Sequence, residues 1–436
     1  MSKFTTFLSQ KWLPTMWELF ISIISVIIFT FLDFLDVLMC IFYKLVDEIL
    51  EGKASSCYCI GKEEGKDKKK ESIEVDYENE LSETLYNRKN VFRQLGLLNF
   101  LGLKRFANRS EFVGGAERRS KWSDCGCDSC GEWMNNGNDL RLHIVVNEPQ
   151  KAPEDCKGTT TENVIFLHGF MASSSLFTNT IFPSLSESIK QNYKLFAVDL
   201  LGFGKSPKPQ ECLYTMRDHV QMIENSVIKP FQLDSFHLVA HSMGCVIALA
   251  LAARYSKSVK SVTLIAPPYF PSEENASITA LERLAARRIW PLLLFGSSFM
   301  SWYEHLGRCV CYILCRHHQT WERIFKLITR QRVLHHRITD ITKHTHHSAW
   351  HTMHNVICGG AKLMDGYLES LTKERVKVYV IYGTKDEVVP LECYINIKKK
   401  VANAEVCVVE NADHSTVILG REVDFSKDLE HAWRGM

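Results

Sequence analysis

Three residues far apart in the chain, Ser242, Asp386 and His414, could together supply a nucleophilic acyl-transfer centre. A serine hydroxyl attacks a carbonyl poorly until a base takes its proton, and the base needs an acid to orient it. Ser242 stands in Ala240-His241-Ser242-Met243-Gly244, between the apolar run "FHLVA" and an Ala- and Leu-rich run from Met243 to Ala253. A strand turning into a helix within two residues needs small neighbours, which is the reason for the pattern small-x-Ser-x-small. Ala240 takes the position where glycine is usual. Asp386 follows the apolar run "KVYVIYG", and His414 follows "AEVCVVE". The order Ser, acid, His, each just past a strand, is the order such a centre requires.

The oxyanion formed by attack needs two prepared donors. The backbone N–H of Met243, at the start of a helix, is one candidate. The other is the N–H of Phe170 in "VIFLHGFMASSSLF", where Gly169 lets the backbone turn. His168 is then expected to fix this loop and not to act as a base. Asp199, in "AVDLLGFGKSPKP", marks a further loop at a strand end.

These loops need a frame. Seven strand-like runs, "LRLHIVV", "NVIFLHG", "KLFAVDL", "FHLVAHS", "SVTLIAP", "KVYVIYG" and "AEVCVVE", alternate with helix-like stretches. Apolar strands alternating with helices predict an α/β fold: a mostly parallel sheet with helices on both faces. Ligands in such sheets bind outside the carboxyl ends of the strands. The long gap between the fifth and sixth runs predicts a helical lid there. The expected organisation is a hydrophobic anchor at 1–52, a charged linker with amphipathic helices at 53–120 and a cysteine-containing lead-in at 121–160. The hydrolase-like core follows at 161–269 and 374–436, with the lid at 270–373.

The 436 residues carry a formal net charge of +2, and no basic stripe interleaved with aromatics occurs in the folded-looking region, so nothing points to nucleic acid. From Leu19 to Tyr43 only Asp33 and Asp36 are charged. Twenty-five helical residues span about 37 Å, enough for a bilayer core. An uncleaved or late-cleaved anchor is favoured over a simple signal peptide, with a helix packed on the domain or lying on a membrane as the alternative. Residues 81–107 have apolar positions at helical spacing. The sequons at Asn108 and Asn275 suit a secretory route.

The chain has 15 cysteines. "CGCDSC" places Cys125, Cys127 and Cys130 together, with Cys156 as a potential fourth zinc ligand, but the spacing is incomplete for a zinc site. Disulfides to Cys156 or a core cysteine, free thiols and metal all stay open, with disulfides favoured. Nine histidines lie between His317 and His354. His347, His351 and His354 share a helical face, expected to be a helix surface or a contact for a substrate headgroup, with metal binding as the alternative.

The stretch from Asn163 to Trp433 resembles an α/β-hydrolase. "HGFMASSSLF", "AVDLLGFGKSPKP", "LVAHSMGCVIALALA" and "LIAPPYF" are similar to the plant Bodyguard group of lysophospholipases, as are "SWYEHLGR", "HTHHSAWHTMHN", "KWSDCGCDSC" and the apolar N-terminus. The resemblance implies Ser242, Asp386 and His414 as the triad. It also implies a role in forming the plant cuticle, through the secretory pathway to the plasma membrane or cell wall.

The expected activity is a serine carboxylester hydrolase acting on a lipid or fatty acyl ester through an acyl-enzyme, without metal or organic cofactor. Lipid is favoured by the membrane-proximal N-terminus and by apolar lid residues Trp290, Leu292, Leu293, Leu294, Phe295 and Trp302. The alternatives are acyl transfer building cutin polyester, and a receptor-like binding protein with little turnover. No obligate protein partner is expected.

Overall fold

The structure is a computed structural model that describes residues 2–52, 55, 57–59, 81–95, 121–134, 140–150, 161–270, 276–286, 289 and 292–434. The sequon asparagines Asn108 and Asn275, Cys156 and Trp290 lie outside these residues.

All seven strand-like runs form one sheet: β1 Ile144–Asn147, β2 Glu162–Leu167, β3 Tyr193–Val198, β4 Phe236–His241, β5 Val259–Ile265, β6 Lys377–Gly383 and β7 Glu405–Val409. Their order is β1-β3-β2-β4-β5-β6-β7. β1 runs antiparallel to β3, and every other pairing is parallel. The chain moves outward from β2 to β3, then jumps back over β2 to β4. The crevice at the carboxyl ends of β2 and β4 is therefore the topological switch point, where open α/β sheets bind ligands. The loops carrying His168–Phe170 and Ser242–Met243 leave the sheet on its two sides.

Central β4 is buried at every position, as a strand covered on both faces must be. The Met243–Arg254 helix that follows is buried from Met243 to Ala252, so it has no polar face to present. It packs on the sheet and on the Met364–Lys373 helix. Burying each of its larger side chains is worth about 1.5–3 kcal/mol. This fixes the helix start, and Ser242 with it.

The chain divides into two compact units. The second holds the sheet, its covering helices and the 311–373 part of the insertion. The first combines the N-terminal helix Ser2–Glu51, residues 86–95 and the 282–310 part of the insertion. Within it, polar groups of the long helix follow one face. Asp33 accepts from Tyr303 Oη at 2.9 Å, Asp36 from the N–H of His305 at 2.9 Å and from Arg93. Asp47 receives both ends of the Arg308 guanidinium at 2.7 and 2.8 Å. The opposite face, including Phe20, Ile23, Ile27, Phe31, Leu38, Phe42 and Ile49, is exposed and apolar. Both acids of the apolar run, Asp33 and Asp36, are thus paired within this unit. Phe295 and Trp302 are committed here too, packed with Phe29, Tyr303 and Leu306.

The helical spacing over 81–107 is not realised as one helix in its described part. A single turn, Glu83–Leu85, precedes a short Val91–Gln94 helix, because Asn90 adopts an extended conformation and caps the N–H groups of Phe92 and Arg93 at 3.1 Å.

A Cβ added to Gly244 would stand 2.6 Å from the Leu167 carbonyl oxygen and 2.7 Å from that of His168. Gly244→Ala is therefore expected to destabilise the fold by about 2–4 kcal/mol. A lowered urea midpoint checks this.

Candidate active site

Ser242 joins β4 to its helix with φ 53° and ψ −122°, outside the comfortable regions for a residue bearing a side chain. Its N–H donates to the Ile265 carbonyl of β5 at 2.8 Å, which holds the turn from one side. The close approach of Gly244 to the end of β2 holds it from the other. Ala240 needs no glycine because it is still within β4, paired with Leu167 and Leu264. Crowding against the β2 end falls on Gly244 instead.

The structure brings the three widely separated residues together. His414 Nε2 is 3.0 Å from Ser242 Oγ, and His414 Nδ1 is 2.8 Å from Asp386 Oδ2. The other carboxylate oxygen, Asp386 Oδ1, accepts the N–H groups of Val388 and Val389 at 2.9 and 2.8 Å. Both oxygens of a buried carboxylate are thus occupied, and its orientation is fixed. The Asp386 side chain is 0% exposed and that of His414 19%. The acid is shielded while the imidazole keeps access to solvent.

Gly169 passes close beside the nucleophile: a Cβ there would lie 3.2 Å from Ser242 Cβ and 3.0 Å from His241 Nδ1. The next residue, Phe170, leans edge-on against Phe203 at 5.6 Å between centroids. Met243 begins its helix, so its N–H has no partner within that helix and sits at the positive end of the dipole. The two N–H groups singled out from the sequence thus belong to backbone on either side of Ser242.

His168 is wholly buried, with both ring nitrogens on main chain. Nε2 accepts the Leu200 N–H at 2.9 Å, so Nδ1 carries the proton and donates to the Gly169 carbonyl at 2.8 Å. Burial pushes its pKa down despite the nearby Asp199. Such a ring ties the loop after β2 to the loop after β3 and has no nitrogen left for proton transfer. Asp199 organises the latter loop. Its Oδ1 accepts from the Ser174 N–H at 2.6 Å and its Oδ2 from the Lys205 N–H at 2.8 Å. Burial opposes its charge, but bonding to His143 and to these N–H groups holds the carboxyl well below the usual range.

Three contributors, His241, Arg337 and Asp340, carry no clear signal in the sequence. His241, directly before the nucleophile, places Nε2 3.0 Å from the His414 carbonyl oxygen, and the two rings lie 4.8 Å apart. From the insertion, Arg337 donates to Ser415 Oγ at 2.9 Å, and Asp340 accepts from Ser173 at 2.6 Å and from Ser175. The pattern fixes neighbours of the serine only by size, so His241 passes as a spacer.

The histidine face of the insertion turns inward instead of outward. His347 bonds the Cys212 carbonyl at 2.8 Å, His351 the His347 carbonyl at 2.9 Å and His354 the hydroxyl of Thr84 at 2.8 Å. They are structural links, because the helix His346–Thr352 is buried against the loops after β3. The disulfides favoured for Cys125, Cys127 and Cys130 also do not form among the described residues, where every cysteine is free.

A family model described as the alpha/beta hydrolase fold matches residues 162–420. "Probable lysophospholipase BODYGUARD 4" of Arabidopsis thaliana is 50% identical, over 94% of this chain and 96% of its own length. The chain belongs to the α/β-hydrolase family, in its Bodyguard group. "Probable lysophospholipase BODYGUARD 5" of the same plant is 47% identical over 93% of both chains. "Lipase 1" of Psychrobacter immobilis is 24% identical over 63% of this chain and 77% of its own. Membership of the Bodyguard group and the fold fit an ester hydrolase.

Burial pushes His241 down to about 3, assisted by repulsion from His414, and burial, against the opposing field of Asp218, pushes His219 down to about 4. The ordinary value is about 6.5, so the unfolded chain takes up these protons first as pH falls. Stability contributed by the neutral rings is full above about pH 6.5 and is lost progressively towards pH 4. The urea midpoint should fall over that window, and His219→Gln should reduce the slope.

Proposed function

We propose that the protein is a serine carboxylester hydrolase of lipid or fatty acyl esters, with Ser242 as nucleophile, His414 as base and then acid, and Asp386 as orienting carboxylate. The observation that carries this reading is the continuous bonded chain from Ser242 Oγ through His414 to Asp386. Ser242 Oγ attacks the ester carbonyl as its proton passes to His414 Nε2. The N–H groups of Met243 and Phe170 receive the oxyanion. His414 then protonates the departing alcohol, leaving an acyl-Ser242. Water, deprotonated by the same nitrogen, releases the fatty acid and restores the hydroxyl. Asp386 stays ionised throughout and stabilises the imidazolium that forms at each step. His241 has a positioning role, holding the main chain of His414.

A lysophospholipid-like substrate is supported by the lysophospholipases named among the relatives. An interfacial location is supported by the Met16–Glu51 helix, which is long and apolar enough to cross a membrane and exposes one apolar face. The motif resemblance extends the proposal to the plant cuticle, with the enzyme held at the plasma membrane or cell wall.

The test uses the full-length chain in detergent, with a fluorophosphonate probe and three substrate classes: lysophospholipids, monoacylglycerols and hydroxy-fatty acyl esters. Wild type should label and turn over at least one class. Ser242→Ala should lose labelling and about 10⁴-fold or more in kcat. A folded wild type that neither labels nor turns over any ester points to a binding protein instead. Acylated alcohol in place of free fatty acid identifies transfer. His241→Leu should lower kcat about tenfold with little change in KM, as expected when a base is loosened from its working geometry.

A further inference from the structure

The thiols of Cys125, Cys127 and Cys130 converge with a histidine from far along the chain. Their sulfurs and a ring nitrogen of His318 all lie within 4.8 Å of one another. Cys127 Sγ and Cys130 Sγ are each 3.4 Å from His318 Nε2. Zinc bonds of about 2.3 Å to sulfur and about 2.0 Å to nitrogen, opened to the tetrahedral angle, put S···N edges near 3.6 Å and S···S edges near 3.8 Å. The two S···N separations of 3.4 Å are close to such an edge, and all four atoms lie within one ligand shell. A disulfide-forming cluster would have no use for an imidazole at its centre.

The surroundings prepare the histidine for this task. His318 Nδ1 lies 3.1 Å from Glu322 Oε1, one helical turn on. With its proton donated to that carboxylate, Nε2 presents a bare lone pair to the three sulfurs. A carboxylate behind a metal-bound imidazole is the usual arrangement at such centres. Locally, Cys130 sits in the Asp128–Met134 helix, and the Gly131 N–H donates to the Cys127 carbonyl at 2.8 Å, which bends the "CGCDSC" segment round on itself.

We propose that Cys125, Cys127, Cys130 and His318 bind a structural zinc ion. The three thiols release their protons to solvent as the metal enters, and His318 binds as the neutral ring. Four protein ligands fill a tetrahedral zinc, so no position remains for substrate or water and the site is closed to catalysis. It staples the segment ahead of β1 to the insertion between β5 and β6. The staple continues towards the sheet. Trp133, in the same short helix, lies 5.4 Å from Lys208 Nζ, which donates to the carbonyls of Gly204 and Ser206 at 2.7 Å in the loop organised by Asp199.

Two other groups have similar edges. Cys311 and Cys315 stand 3.5 and 3.6 Å from His344 Nε2. Cys40 and Cys57 are 3.7 Å apart, with Cys59 3.6 Å from His305 Nδ1. Total metal content is therefore not a clean readout, and the test reads a difference.

The full-length chain, purified without added chelator, is assayed for zinc by elemental mass spectrometry. Cys127→Ser/Cys130→Ser should hold at least one equivalent less than wild type, whereas His318→Cys, which restores a fourth thiolate, should keep the wild-type content. Glu322→Gln should weaken zinc retention against a competing chelator about 10–100-fold. Replacing zinc by cobalt should give thiolate-to-cobalt charge-transfer bands that are weaker in the double serine variant. Fluorophosphonate labelling of Ser242 reports, independently of metal, that each variant has folded. If the double variant does not fold, Glu322→Gln decides the matter: zinc retention against the chelator equal to that of wild type would overturn the proposal. Zinc-free wild type, unchanged zinc in the folded double variant, or a Cys125–Cys130 disulfide in the native protein would overturn the proposal.

Discussion

The site depends on one steric constraint, the passage of the Met243–Arg254 helix across the end of β2. Ser242 is held at positive φ because the strand before it and the helix after it are both buried and cannot relax. The turn places the hydroxyl above the sheet edge and points the first helical N–H groups at the same spot. Gly244 supplies the clearance, with β2 carbonyl oxygens directly against its Cα. A strained residue persists only where its surroundings over-determine it, and here two buried elements and a bond to β5 do so.

Around that turn, loops from four strand ends are joined by buried polar side chains. His168 joins the loops after β2 and β3, and Asp199 ties the latter to Ser174. His241 joins the end of β4 to the His414 loop. These links are costly to bury, and each is bonded to main chain, with His143 also bonding Asp199. They fix loops whose sequences alone would leave them free, and they work only with neutral imidazoles and an ionised Asp199. The site is correspondingly sensitive to acid.

The sheet was legible because each strand is a short apolar run bounded by turn residues, and a fully parallel interior leaves little room for other readings. Ser242, Asp386 and His414 were legible because each stands just past such a run. The histidine and cysteine contacts of the insertion were not. Periodicity placed His347, His351 and His354 on one face but could not say whether that face meets solvent or the loops after β3. His318 and the "CGCDSC" thiols are separated by almost two hundred residues, and only the folded insertion brings them together. The break at Asn90 was likewise hidden, because one capping side chain decides between one helix and two.

The long N-terminal helix is amphipathic in an unusual sense, with one flank greasy and the other a ladder of carboxylates answered by Tyr303, Arg93 and Arg308. Trimming the chain to obtain a soluble hydrolase is the obvious shortcut for a biochemist. Cutting away the first fifty residues would take from Arg308 and Tyr303 the carboxylates they bond and uncover Phe295, Phe299 and Trp302, so the greasy segment and the 282–310 stretch are best kept or discarded as one piece. What looks in the sequence like a detachable leader is, in the folded molecule, half of a small domain.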